Sequence, residues 1–232
     1  MPDRFEAMGT LPMQHADLAI AEVNFIVREL GMRSVEIGTN INGRDLDDDE
    51  FSGLWKRLEE LDVFVLLHPP RVPIGIGRVG DYFLNNLIAY PADTTIAAAR
   101  LIFGGVLRNC PTLKCCLAHG GGFLPYQIGR LDRGFAAHPA CSSRISQRPS
   151  EFLRSFYYDT LTHHTQALSY LVSLVGADKV LFGSDYPFEM LDEAGPARVK
   201  QLSSLAEDEI EAILGRNAQH LLQERRCLTL LN

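Results

Sequence analysis

The sequence predicts an α/β fold of the TIM type, a (β/α)8 barrel with about six of its eight strands present. Three observations predict it. Short, almost continuously apolar runs alternate with longer amphipathic segments, the pattern of parallel strands buried on both faces and joined by crossover helices. No low-complexity linker or internal repeat interrupts the alternation, so residues 1–232 read as a single domain. Three of the runs end in a side chain that can bind a metal or a proton: Leu-Leu-His68, Leu-Ala-His119 and Phe-Gly-Ser-Asp185. A barrel gathers the C-terminal ends of all its strands around one axis, whereas an open doubly wound sheet joins only those beside its switch point.

In chain order, the predicted strands are 5–11, 34–38, 63–68, 114–119, 156–160 and 180–183. The first predicted helix, 16–30, is closed by Gly31 at its C′ position. The second, 48–61, repeats Phe51, Leu54, Trp55, Leu58 and Leu61 at helical spacing, and Asp47, Asp48 and Asp49 suit its positive N-terminal end. A third spans 94–108 and stops before Pro111, and a fourth spans 166–175 and ends at Gly176. Helices over 207–214 and 217–222 finish the pattern. Six strands fall two short of a closed barrel of this class.

Composition excludes several partners. A net charge of -7 argues against nucleic acid, whose phosphates call for a basic surface. No apolar run approaches the roughly 20 residues of a membrane span. The start, Met-Pro-Asp-Arg-Phe-Glu, has no signal-peptide pattern, and the expected compartment is the cytoplasm. Cys110, Cys115, Cys116, Cys141 and Cys227 follow no zinc-finger spacing and read as reduced thiols used as small hydrophobes.

Each candidate site residue has a structural alternative. His68 closes Val-Phe-Val-Leu-Leu-His and could be a hydrogen-bonded strand-end histidine. Asp185 could cap the turn that follows it. His119 precedes Gly120, Gly121 and Gly122; a tight turn explains those glycines but not the histidine. Together, imidazoles and a carboxylate suit a borderline divalent ion such as Zn²⁺. Two other patterns fail on context. Gly-Ile-Gly-Arg-Val-Gly (75–80) follows three prolines instead of a strand, and His-Gly-Gly-Gly lacks a G-x-S-x-G partner.

The stretches Gly-Thr-Leu-Pro-Met-Gln (9–14), Val-Glu-Ile-Gly-Thr-Asn (35–40), Leu-His-Pro (67–69), Ala-His-Gly-Gly-Gly (118–122), Phe-Tyr-Tyr-Asp-Thr (156–160) and Gly-Ser-Asp-Tyr-Pro-Phe (183–188) occur in order. With Gly-Arg-Asn-Ala-Gln-His-Leu-Leu (215–222) they resemble the aminocarboxymuconate-semialdehyde decarboxylase family of the amidohydrolase superfamily, over nearly the whole chain. The resemblance implies that His68 and Asp185 are metal ligands and that His119 is the catalytic histidine. It also implies that Arg130 reaches into a neighbouring subunit to grip a substrate carboxylate, a role that suits a bidentate guanidinium. A solvated arginine on a helix surface is the alternative. Members of that family begin with a strand ending in His-x-His, and this sequence contains no His-x-His. The adjacent His163 and His164 cannot replace it, because neighbours on a strand point to opposite faces. The first run aligns with the family's third strand, so the expectation is a barrel lacking two strands, with two exposed edges and weak metal binding.

The implied function is metal-dependent, non-oxidative decarboxylation of a small unsaturated or aromatic carboxylic acid. It would use Zn²⁺ or another divalent metal, no organic cofactor, and a homodimer. Hydrolysis or hydration on the same barrel stays open, since fold does not fix chemistry. So does an inert chain or partner subunit, in view of the missing His-x-His. Arg44, Arg71 and Arg78 lie in loops and read either as binders of acid groups or, more plainly, as solvated side chains.

Overall fold

The computed structural model describes residues 5–70 and 76–223; Arg71, Pro73, Gly75 and Cys227 lie outside them. Six strands form one sheet: β1 (Met8–Thr10), β2 (Ser34–Gly38), β3 (Phe64–His68), β4 (Lys114–Leu117), β5 (Phe156–Asp159) and β6 (Val180–Leu181). Every pairing is parallel, and the strands lie side by side in chain order. A doubly wound sheet would reverse its order at a switch point, whereas unbroken order is the arrangement of a barrel wall. Among the described residues β1 and β6 each pair on one side only, so the wall is an open segment of a barrel.

The crossovers are α1 (Ala16–Arg28), α2 (Ser52–Glu60), α3 (Tyr90–Phe103) with the short α4 (Val106–Asn109), α5 (Leu124–Ala137) and α6 (Thr165–Val175). After β6 come α7 (Gly195–Lys200), α8 (Glu207–Glu211) and α9 (Asn217–Gln223), the last two joined by a π-helical turn over Ala212–Arg216. Strand alternation sorts the core into two faces. Val35, Ile37, Val65, Leu67, Cys115 and Tyr158 point out against the helices, into one cluster with Val23, Trp55, Leu101, Leu124 and Leu171. Trp55 is accommodated there because its Nε1–H donates to the Leu46 carbonyl at 2.8 Å. Phe64, Cys116 and Leu181 point to the barrel interior, where Ala218, Leu221 and Leu222 of α9 pack on them. Asn217 anchors α9 by donating to the carbonyls of Ala177 and Val180, at 2.8 and 2.9 Å.

The strands match the six apolar runs; β2 spans its run in full, and the other five are shorter than theirs at one end or both. The first begins at Met8, not Phe5, and the fourth ends at Leu117 because His119 has left the extended region, at φ 58°. The expected helix 94–108 starts at Tyr90 and breaks at Gly104–Gly105. A Cβ on Gly104 would sit 2.4 Å from Asp47 Cβ, and Gly105 is left-handed at φ 80°. Helix α5 was not anticipated, although Leu124, Ile128, Leu131 and Phe135 all face the core at helical spacing. Pro125 at the start of α5 and Gly129 and Gly134 within it mask that pattern.

Candidate active site

The C-terminal ends of β3, β4, β5 and β6 meet at one place. His68 is the last residue of β3 and points inward, its register partner on β2 being Gly38. His119 stands two residues past β4. The Ala118 amide still donates to the Leu67 carbonyl at 3.1 Å, and then His119, Gly120, Gly121 and Gly122 all take positive φ. That turn is costly for a histidine and needs glycine after it. A Cβ on Gly121 would lie 2.7 Å from the Tyr158 ring, and one on Gly122 would lie 2.1 Å from the Pro91 carbonyl oxygen.

The group that holds the turn is Asp159, at the end of β5. Its carboxylate accepts from the amides of His119 (2.8 Å), Gly120 (2.7 Å) and Leu161 (3.0 Å). The side chain is buried, and burial raises its pKa against the pull of those three amides. Sequence reasoning missed Asp159, although Phe-Tyr-Tyr-Asp obeys the same rule as the other three: an apolar run ending in a polar residue.

His68, His119 and Asp185 each offer one donor atom, and these atoms lie within 4.8 Å of one another. His68 Nε2 is 3.8 Å from Asp185 Oδ1, and the two imidazole centroids are 5.2 Å apart. His68 Nδ1 faces Glu36 Oε1 at 3.9 Å, and its ring stacks on Phe188 at 6.4 Å. Within the turn it begins, Asp185 accepts the Phe188 amide at 2.9 Å through its backbone carbonyl, but among the described residues its carboxylate accepts no hydrogen bond there, so the side chain does not act as a cap. Nor is His68 tied up by a structural hydrogen bond. Among the described residues, His119 Nδ1 is the one buried side-chain nitrogen or oxygen without a partner. Burial, followed by the neighbouring His68, lowers the His119 pKa to about 4, so its imidazole is neutral at neutral pH. Two imidazoles and a carboxylate converging without mutual hydrogen bonds fit a divalent cation.

The triad forms the wall between two cavities. One, about 410 Å³, is the barrel interior and includes Glu36, His68, Asp159 and Asp185. The other, about 600 Å³, lies beyond His119 and Asp185 and includes Tyr126, His163, Gln166 and Tyr170. A third hollow of about 790 Å³ opens at the ends of β1 and β2, beside Glu36, Asn40 and Asp93. None of these linings contains a lysine or arginine among the described residues.

Arg130 is not brought to the triad. It is exposed on α5, lines none of the cavities, and has no ion pair or hydrogen bond among the described residues. Arg44 is paired with Glu50, donates to the Gln14 carbonyl and lies over the Phe51 ring, so it holds a loop in place. Arg78 is exposed in a single 3₁₀ turn. Among the described residues Cys110, Cys115, Cys116 and Cys141 are free thiols, the first three of them buried. No helix among the described residues is long and apolar enough to cross a membrane.

Comparison with known proteins sets this geometry in context. The sequence profile of a family described as amidohydrolase matches residues 1–223. A 2-amino-3-carboxymuconate-6-semialdehyde decarboxylase of Dictyostelium discoideum is 37 % identical over 222 residues, covering 95 % of this chain and 62 % of that protein. A gamma-resorcylate decarboxylase of Polaromonas sp. JS666 is 31 % identical over 241 residues, covering 97 % of this chain and 72 % of that one. The chain thus spans about three fifths of the length of the Dictyostelium protein. Among solved structures, a dihydroxybenzoic acid decarboxylase from Polaromonas sp. JS666, with bound manganese and the inhibitor 2-nitroresorcinol, superposes with a TM-score of 0.86. It shares 27 % identity, covering 100 % of this chain and 73 % of that one. A 2,6-dihydroxybenzoate decarboxylase complexed with 2,6-dihydroxybenzoate gives a TM-score of 0.84 at 29 % identity, covering 95 % and 71 %.

Proposed function

The chain belongs to the amidohydrolase family, and from that premise we propose that it serves a metal-dependent, non-oxidative decarboxylase of a small aromatic or unsaturated carboxylic acid. The observation that carries the proposal is the convergence of His68, His119 and Asp185 from three strand ends, within 4.8 Å. The decarboxylases named above support the reaction class.

In this reading His68 and Asp185 hold the divalent cation. We take it to be Zn²⁺, with Mn²⁺ as the competitor suggested by the manganese-bound relative. Held there, such an ion would supply Lewis-acid polarisation of the substrate acid. His119, neutral at rest, takes up a proton and gives it to the carbon that carries the carboxylate. The C–C bond then breaks with loss of CO₂, and its electron pair restores conjugation. The sum is R–COO⁻ plus H⁺ giving R–H plus CO₂. Asp159 keeps the His119 turn in place, so the imidazole need not reorganise during that transfer.

A carboxylate substrate needs a cation beyond the metal, and the cavity linings supply none among the described residues. Arg130, exposed and without a partner among the described residues, is the candidate if a second copy presents it across a dimer interface. The exposed Tyr82, Tyr126, Tyr186 and Phe188 offer apolar surface for such an interface. Unpaired cysteines suit a cytoplasmic location. The test is CO₂ release from 2,6-dihydroxybenzoate and related acids, with Zn²⁺ or Mn²⁺ supplied. Turnover that vanishes in His119→Ala supports the proposal, and turnover unchanged in that variant overturns it.

A further inference from the structure

We infer that Glu36 is a positioning residue for His68: its carboxylate accepts the imidazole Nδ1–H and thereby commits Nε2 to the metal. The inference rests on reading His68 and Asp185 as metal ligands.

The geometry begins with the sheet. Glu36 and His68 point to the same, interior face of adjacent parallel strands, Glu36 pairing with Leu66 and Gly38 with His68. Gly38 puts no side chain across from the imidazole, so the Glu36 side chain can lean along the strand toward it. The Oε1–Nδ1 separation is 3.9 Å, and the Glu36 side chain is 49 % exposed to the cavity, free to close the remaining distance. Among the described residues that carboxylate has no other partner.

The ring chemistry then selects a role. His68 has a carboxylate opposite each nitrogen, Glu36 at Nδ1 and Asp185 at Nε2. A neutral imidazole carries one N–H and one lone pair. Asp185 belongs to the donor cluster with His119, and Glu36 does not. The lone pair therefore goes to Nε2 and the proton to Nδ1, facing Glu36. A carboxylate accepting the far N–H fixes the tautomer and ring orientation of a metal-bound histidine and raises its basicity.

The experiment titrates metal-stripped protein with ZnCl₂ and MnCl₂ by calorimetry, comparing wild type, Glu36→Ala and Glu36→Gln, with thermal melts to confirm folding. Glu36→Ala should weaken metal binding by about 10–100-fold. Glu36→Gln keeps an oxygen acceptor and should restore most of the affinity. In the Zn²⁺-loaded protein, long-range ¹H–¹⁵N spectra should show His68 protonated at Nδ1 in wild type and in Glu36→Gln, and a mixed state in Glu36→Ala. Unchanged affinity and tautomer in Glu36→Ala overturn the inference alone. Glu36→Gln binding as weakly as Glu36→Ala also overturns it, because charge and not the acceptor would then matter. If wild type binds neither metal, the metal reading fails and the inference fails with it.

Discussion

At the scale of single residues, His119 and Asp159 form one unit with opposed titrations. His119 has a folded pKa of about 4, below its ordinary 6.5. An unfolded chain therefore takes up a proton that the folded chain refuses. The stability this represents is complete above pH 6.5 and is lost as pH falls through the window from 6.5 to about 4. It amounts to at most ~3 kcal/mol. Asp159, raised by burial, acts in the opposite sense, so the histidine is isolated by comparing wild type with His119→Asn. Urea melts of metal-stripped protein should show a steeper loss of stability from pH 7 to pH 4.5 in wild type than in His119→Asn. Asp159→Ala should cost roughly 1–3 kcal/mol for each amide left unsatisfied and not reached by water, read in the same melts.

At the scale of elements, the strands were legible and some helices were not. Parallel strands buried on both faces leave a continuous apolar run, which is a local signal. Helix α5 is interrupted by small residues at Gly129 and Gly134, which blur the same kind of signal. The turn after β4 is part legible and part not. Three consecutive glycines announce left-handed backbone, but which of them is indispensable depends on Pro91 and Tyr158, distant in sequence. Gly122→Ala places a methyl against the Pro91 backbone at positive φ, where neither side can yield. It should lower stability by more than about 2 kcal/mol, a larger loss than Gly129→Ala, which meets open space. Thermal melts of the two variants check the difference.

At the scale of the whole molecule, an open barrel wall holds a triad between two cavities and leaves β1 and β6 with free edges among the described residues. If His68 and Asp185 bind a cation, that ion stabilises the folded state by linkage, about 2.7 kcal/mol at a hundred times its Kd. For a domain of this size the shift is about 5–10 °C in Tm. Zn²⁺ or Mn²⁺ should produce that shift by thermal melt in wild type but not in Asp185→Asn. If Arg130 serves a neighbouring subunit, Arg130→Ala should raise KM about 10–100-fold while sedimentation still shows a dimer.

The sequence by itself determined the alternation of strand and helix, the six strands, and the three ligand-type residues at strand ends. Those features are local: apolar period, run length and the residue at which a run stops. Only the tertiary structure decided that the strands lie in unbroken order, that Asp159 holds the His119 turn from forty residues away, and that Glu36 faces His68. It also decided that Arg44 pairs with Glu50 while Arg130 is exposed on α5 with no ion pair or hydrogen bond among the described residues. These are contacts between segments far apart in the chain. No local pattern encodes them, because they depend on register and on which side chains the closing wall leaves room for.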